Sequence, residues 1–165
     1  KCVNQDNQEV PVGEPGEILV RGYNVTEGYF NNPKATKETI DTEGWLHTGD
    51  IGILDQNGYI KITDRSKDMF IVGGFNAYPA EIENILCDHP AVSQAAVIGI
   101  ADERMGEVAK AFIVLKPNHE LQEDTLVEWS KENMANYKVP REIAFVEALP
   151  TNAAGKVMKF ILKEG

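Results

Sequence analysis

The chain has 165 residues, 42% of them hydrophobic and 25% charged, and a formal net charge of -10. That length sets one domain or two small ones, and the apolar content is enough to bury a core, which excludes a wholly disordered chain. The acidic balance excludes a nucleic-acid binder, which needs a basic footprint, but leaves room for a phosphorylated small molecule, which needs only a local cluster of donors.

In chain order, "GEILVRG" (16–22) is predicted as a strand from its apolar content and flanking glycines. "NNPKATKETI" (31–40) is predicted as a short helix with Pro33 in its first turn. "WLHTGDIGILDQNGYIKITD" (45–64) is predicted as a hairpin, with Asn57-Gly58 supplying a two-residue turn. A charged break, "DRSKD" (64–68), follows, then a short strand "MFIV". "YPAEIENILCDHP" (78–90) is predicted as a helix: Pro79 opens it, Pro90 lies beyond it, and Ile82, Ile85 and Leu86 share one face.

Two strands, "AVSQAAVIGI" and "VAKAFIVLK", are then expected on either side of a polar loop "ADERMGE". "LQEDTLVEWSKENMA" is predicted as a helix with Leu126, Trp129 and Met134 near one side, "EIAFVEAL" as a strand, and "KVMKFILKEG" as a terminal helix. The expected class is α+β. A β-rich and incomplete piece, residues 1–66, precedes a small mixed unit of helices and strands, residues 67–165.

Cys2 and Cys87 lie far apart and lack metal-ligand spacing, so they read as free thiols of a reducing compartment. With no signal-peptide core and no apolar run long enough to span a bilayer, the expected location is cytoplasmic. The opening "KCVNQDNQEV", without Met, reads as an excised piece of a longer chain.

Four short motifs carry candidate chemistry, and each has a plain alternative. In "HTGD" the Asp50 carboxylate can accept from two vicinal hydroxyls, as on a ribose; equally, Asp is a favoured turn residue. In "DRSKD" the Arg65 fork suits a ribose or a phosphate, while Lys67 reads as well as a solvated charge. In "VGGF", Gly73 and Gly74 permit positive φ and close approach of a ligand to the backbone, or simply a turn. In "PTNAAGKVMKF", Lys156 follows a glycine in a polar loop and can be offered on a mobile arm, or be a surface lysine. This is no Walker loop, because the glycine-to-lysine spacing is wrong. His47, His89 and His119 form no metal or triad pattern and read as structural or solvated; no metal site is expected.

The order of these motifs says more than any one of them. The run from "GEPGEILVRG" through "GYFNNPKATKETI", "GWLHTGDIGILDQNGYIKITDRSKDMFIVGGFNAYPAEIEN", "HPAVSQAAVIGIAD" and "NYKVPREIAFVEALPTNAAGK" resembles the C-terminal part of the adenylate-forming enzymes. That superfamily comprises acyl-CoA synthetases, peptide-synthetase adenylation domains and beetle luciferases. The resemblance implies a two-step reaction. A carboxylate attacks the α-phosphate of ATP to give an acyl-adenylate and pyrophosphate, and a thiol, usually of CoA, then displaces AMP. Between steps the small C-terminal domain rotates on a hinge.

By this resemblance Asp50 holds the ribose hydroxyls, Arg65 also contacts the nucleotide, and Lys67 is the hinge residue. Gly73 and Gly74 border the pantetheine passage of CoA, and Lys156 enters the site in the first step to neutralise charge on carboxylate and α-phosphate. Ile71 and Gly73 stand where luciferases carry lysines, which argues against that branch. The closest likeness is to bacterial fatty-acyl or related CoA synthetases. ATP with Mg2+ and CoA are the implied co-substrates and a small carboxylic acid the implied partner. The phosphate loop, the acid pocket and the acidic metal ligand would lie upstream, so the chain alone is expected to be inactive. Loading of a carrier protein, or a non-catalytic interaction domain, are the alternatives.

Overall fold

The computed structural model describes residues 1–163. The chain folds as two compact units, Lys1–Lys67 and Asp68–Gly165, the last two residues lying outside the described part. Among the described residues no helix is long and apolar enough to cross a membrane.

The first unit is a four-stranded antiparallel sheet in the order β1 (Cys2–Val3), β2 (Pro15–Val20), β3 (Leu46–Leu54), β4 (Ile60–Arg65). Its buried side chains are few: Cys2, Val3, Ile18, Leu19, Ile51 and the carboxylate-bearing Asp64. One helix, α1 (Pro33–Thr39), joins β2 to β3. Asn32 caps it by accepting from the Ala35 N–H, Pro33 sits in its first turn, and none of its residues is buried. Tyr23, Phe30, Ile60 and Ile62 remain exposed on this unit.

The β3–β4 hairpin forms as predicted, but not with a two-residue turn. Residues 55–59 connect the paired Leu54 and Ile60. Asp55 Oδ1 accepts from the N–H groups of Asn57 and Tyr59, the Asp55 N–H donates to the Tyr59 carbonyl, and Gly58 takes φ +84°. An aspartate ahead of the Asn-Gly pair thus offers a better acceptor than a tight primed turn would, and the loop lengthens to use it.

The second unit begins with β5 (Phe70–Val72) and β6 (Phe75–Ala77), then α2 (Pro79–Cys87), β7 (Val92–Asp102), β8 (Gly106–Leu115), α3 (Glu123–Asn133), a 3-10 turn at Asn136–Lys138, β9 (Glu142–Phe145) and α4 (Lys159–Lys163). The sheet runs β6-β5-β8-β7, and β9 pairs β8 in parallel. A parallel neighbour needs a crossover, and α3 supplies it between β8 and β9. The core joins Phe70, Val72, Ile82, Leu86, Val97, Val108, Ile113 and Leu126, so one face of α2, one face of the sheet and α3 meet there.

Three expectations need correction in this unit. The polar "ADERMGE" segment is not a loop. The strands run through it until Asp102 pairs Gly106, because Asp102 Oδ1 accepts from the Arg104 and Met105 N–H groups and closes a turn of only three residues. Those two donors hold the Asp102 carboxyl below its ordinary range. The strand predicted over 142–149 stops at Phe145. The terminal helix starts at Lys159 rather than Lys156, since residues 152–156 form a turn, and its predicted end at 164–165 lies outside the described residues.

The outer edge of β7 is covered by side chains of α2. Glu83 Oε1 accepts from the Val97 N–H at 2.7 Å, and Cys87, one helical turn on, meets the backbone of Ala95. Lys159 of α4 closes on the same Glu83 oxygen at 2.7 Å, with both side chains under a fifth exposed. Both cysteines are free thiols, Cys2 buried and Cys87 exposed.

Two expectations follow from this packing. The turn after β4 joins the two units with both Arg65 and Lys67 exposed, so limited trypsin digestion mapped by mass spectrometry should cut first after one of them. Primary cleavage inside β7 or β8 would contradict the division. His89 packs edge-on to Trp129 at 5.2 Å, and its Nδ1 accepts from the Ala91 N–H at 3.2 Å, a bond that needs the neutral ring. Burial first, then the Lys116 charge, lowers its pKa from the ordinary value of 6.5. A lowered value means the fold favours the neutral form. The His89 contribution is therefore present above that ordinary value and is lost as pH falls through the folded-state one. Urea melts of the wild type from about pH 7.5 to about pH 5 should show this loss, and His89→Gln should flatten it.

Candidate functional site

The first unit places Asp50 and Arg65 opposite each other on β3 and β4. Arg65 Nε donates to Asp50 Oδ1 at 2.9 Å, with the guanidinium 59% and the carboxylate 26% exposed, so the pair is open to a ligand. One carboxylate oxygen and the Nη groups extend beyond that contact. Such a pair can accept from a diol and donate to an anionic or hydroxyl oxygen at the same place.

The backbone around Asp50 is irregular and closely held. The β2–β3 register shifts between Glu17 and Leu19, and the β3–β4 register shifts between Ile51 and Gly52. Gly49 takes φ +69°, a left-handed conformation that only glycine adopts without strain. Its N–H donates to Glu17 Oε1 at 3.0 Å, and its carbonyl accepts from the Ser66 N–H at 2.9 Å. The Thr48 hydroxyl donates to the Ile18 carbonyl at 2.7 Å and accepts from the Asp50 N–H at 3.1 Å. "HTGD" is thus a bulge in which Thr, Gly and Asp each have a separate geometric reason.

His47, read from sequence as structural or solvated, belongs to this framework. Its Nδ1 lies 3.2 Å from Glu17 Oε2 and its Nε2 3.9 Å from Asp41 Oδ2. The Trp45 N–H holds the Asp41 carboxyl below its ordinary value against some burial, with the Glu43 N–H and the His47 charge adding to it. Glu17 and Asp41 were not singled out from sequence. A glutamate thirty residues from its histidine gives no local signal, and only the pairing of β2 with β3 brings them together.

In the second unit, Gly73 and Gly74 form the two-residue turn between the paired Val72 and Phe75, with φ +56° and +89°. Positive φ at both central residues is the signature of a type I′ hairpin, so "VGGF" is a hairpin turn, and β6 is a strand that the sequence reading missed. The Gly73 N–H donates to the Met105 carbonyl at 2.8 Å. A Cβ on Gly73 would lie 2.6 Å from Met105 Cε, whereas one on Gly74 would meet nothing within 4 Å. Beside the turn, Phe75 stacks on Tyr137 at 5.0 Å. Next to Tyr137, Lys138 pairs Glu81 at 2.6 Å; burial opposes its charge, but the Glu81 hydrogen bond and charge outweigh it and raise the lysine's pKa.

Lys156 is exposed, and its backbone is held in a local turn. It ends the turn 152–156, where Asn152 Oδ1 accepts from the Ala154 and Lys156 N–H groups and the Asn152 N–H donates to the Lys156 carbonyl. Among the described residues no hydrogen bond or ion pair joins Lys156 to Gly73 or Gly74, which lie on a separate hairpin. Lys67 is exposed immediately after β4. Among the described residues no three His, Cys, Asp or Glu side chains are grouped to hold a metal.

Residues 81–156 match the family described as AMP-binding enzyme C-terminal domain. The chain is 58% identical over 156 residues to the 3-(7a-methyl-1,5-dioxo-octahydro-1H-inden-4-yl)propanoyl:CoA ligase of Rhodococcus jostii (strain RHA1), covering 94% of this chain and 30% of that protein. It is 45% identical over 162 residues to the 2-succinylbenzoate–CoA ligase of Bacillus cereus (strain Q1), covering 98% and 33%. To the long-chain-fatty-acid–CoA ligase of Escherichia coli O6:H1 it is 43% identical over 164 residues, covering 99% and 29%. Among solved structures, ATP-bound MatB from Rhodopseudomonas palustris matches with a TM-score of 0.91 at 37% identity, covering 99% of this chain and 32% of that one. The o-succinylbenzoate CoA synthetase of Bacillus subtilis, in complex with its acyl-adenylate intermediate, matches at 0.87 and 39%, covering 99% and 33%. The chain thus spans about a third of the length of the relatives it matches. With its motif order, its two-unit fold and these likenesses, the chain belongs to the adenylate-forming enzymes, whose AMP-binding enzyme C-terminal domain it carries at residues 81–156.

Proposed function

We propose that this chain is the C-terminal portion of an AMP-forming acid–thiol ligase, in which Lys1–Lys67 is the end of the large AMP-binding domain and the remainder is the small mobile domain. The observation that carries the reading is the partly exposed Asp50–Arg65 pair, held on a bulge and suited to a nucleotide ribose. The exposed Tyr23, Phe30, Ile60 and Ile62 support a first unit that continues in a larger domain.

In the first step a carboxylate oxygen attacks the α-phosphorus of ATP, the bond to the bridging oxygen of the β-phosphate breaks, and pyrophosphate leaves. Asp50 accepts from the ribose hydroxyls and Arg65 orients Asp50 while donating to the nucleotide. The Lys156 ammonium offsets the negative charge that gathers on carboxylate and α-phosphate. In the second step the thiol sulfur of CoA attacks the acyl carbonyl, the thiol proton is lost and AMP leaves. The Gly73-Gly74 turn presents backbone without side chains to the pantetheine arm, and Lys67 is the pivot between the two arrangements. Mg2+ would be held by residues outside this chain. The names of the relatives as CoA ligases support CoA over a carrier protein as acceptor. The acid is a fatty or related alkanoic carboxylate.

The 165-residue chain alone, given ATP, magnesium and a panel of ring-bearing propanoates, long-chain fatty acids and 2-succinylbenzoate, is expected to give no pyrophosphate exchange. The full-length ligase should turn over one of these classes, and turnover by the chain alone would sink the assignment of its missing parts. In the full-length protein, Lys156→Ala should slow adenylate formation by about 100- to 1000-fold, the usual loss for one preorganised donor, and barely change thioester formation from supplied acyl-adenylate. Gly74→Leu should do the reverse. A Cβ at this position meets nothing within 4 Å in the fold, though positive φ adds strain of about 1–3 kcal/mol. Similar losses of both half-reactions in both variants would refute a separate face for each step.

A further inference from the structure

The turn that ends in Lys156 is built four times in this chain. "NQDNQ" (4–8), "DTEGW" (41–45), "DQNGY" (55–59) and "NAAGK" (152–156) share one hydrogen-bond pattern. In each, Oδ1 of the first residue accepts from the backbone N–H of the third and fifth residues: Asp6 and Gln8, Glu43 and Trp45, Asn57 and Tyr59, Ala154 and Lys156, at 2.8–3.0 Å. The first residue's N–H donates to the fifth residue's carbonyl at 2.8–2.9 Å, and the fourth has positive φ, Asn7 at +58° and the three glycines between +78° and +84°. The fifth residue is thus held by its N–H and its carbonyl from one partner residue. In two copies it is an aromatic residue and in one Gln8; in the last it is the lysine.

The base of the last turn is fixed as well. Thr151 bridges Val157, the Met158 N–H donates to the Pro150 carbonyl at 2.8 Å, and Lys159 closes on Glu83 at 2.7 Å. Residues 151–156 are all exposed, so the Asn152 side chain adds nothing to the core. Its visible effect is on the backbone of Ala154 and Lys156.

We propose that Asn152 is a positioning residue for the adenylation step, holding the backbone from which Lys156 reaches toward the reacting carboxylate and α-phosphate. This rests on the assignment of Lys156 to that step. Without the Asn152 oxygen the turn opens and the lysine must be ordered anew in each transition state. Misplacement of a catalytic group by about 1 Å costs on the order of 100-fold. Asp41 and Asp55 do the same work with a carboxylate, so aspartate is the substitution that the chain itself marks as conservative.

The test uses the full-length ligase with Asn152→Ala, Asn152→Asp and Lys156→Ala, each assayed for both half-reactions. Asn152→Ala should lower kcat for adenylate formation by about 10- to 100-fold with KM for ATP little changed, while thioester formation from supplied acyl-adenylate and the melting temperature hold. Asn152→Asp should recover most of the loss. If Lys156→Ala loses adenylation and Asn152→Ala does not, the positioning role is wrong and the lysine assignment stands. If Asn152→Ala loses both half-reactions equally, or Asn152→Asp recovers nothing, the residue is merely structural. If Lys156→Ala keeps adenylation, the lysine assignment falls and the positioning role with it.

Discussion

A side-chain oxygen that accepts from two backbone N–H groups of the next four residues is the constraint on which several of this chain's tight turns depend. A tight turn leaves several amides pointing inward with no ladder partner, and an unpaired amide shielded from water is costly. Asn4, Asp41, Asp55, Asp102 and Asn152 each answer that need with one oxygen. Because the oxygen is covalently tied to the first residue, it also sets the length of the turn. That is why the β3–β4 connection is longer than its Asn-Gly pair alone would make it, and why β7 and β8 run almost to the apex of their hairpin. The β5–β6 hairpin takes the other solution, two glycines at positive φ, and needs no side chain.

The second unit adds a constraint of a different kind. A strand edge carries amides that no neighbouring strand satisfies. On β7, the Glu83 carboxylate takes the Val97 N–H and in turn receives Lys159 from the far end of the chain. One buried-side oxygen therefore links α2, the edge of the sheet and α4. The last helix is too short to stand alone, and this ion pair is what docks it beside the turn that carries Lys156. Removing either partner would leave a largely buried charge uncompensated, so the link is costly to break whatever its net contribution to stability.

The two units differ in how they spend their apolar residues. The core of the second is continuous, from Phe70 to Leu126. The first buries only a handful of side chains around β1, β2 and β3 and leaves aromatic and aliphatic residues in solvent. Its order comes more from polar contacts: Glu17 joins His47 and the Gly49 amide, and Thr48 joins the Ile18 carbonyl and the Asp50 amide. These contacts are what turn Asp50 toward Arg65.

By itself the sequence determined the elements whose signals are local. The α2 helix is legible because Ile82 and Leu86 repeat at helical spacing between two prolines, and both are fully buried. The β3–β4 hairpin is legible from apolar arms around a turn-forming cluster. The motif order from "HTGD" to "AAGK" sufficed to name the family, because each motif is a contiguous run whose residue types answer a local need. Only the tertiary structure decided what depends on pairing across the chain. The partnership of Glu17 with His47 follows from strand register, and that of Glu83 with Lys159 spans most of the second unit. The parallel placement of β9 beside β8 depends on the path of α3. The turn at Lys156 was missed for a subtler reason. Asn152 looks like any polar loop residue until its oxygen is seen to accept from two amides at once, and that geometry exists only when the chain has folded back on itself.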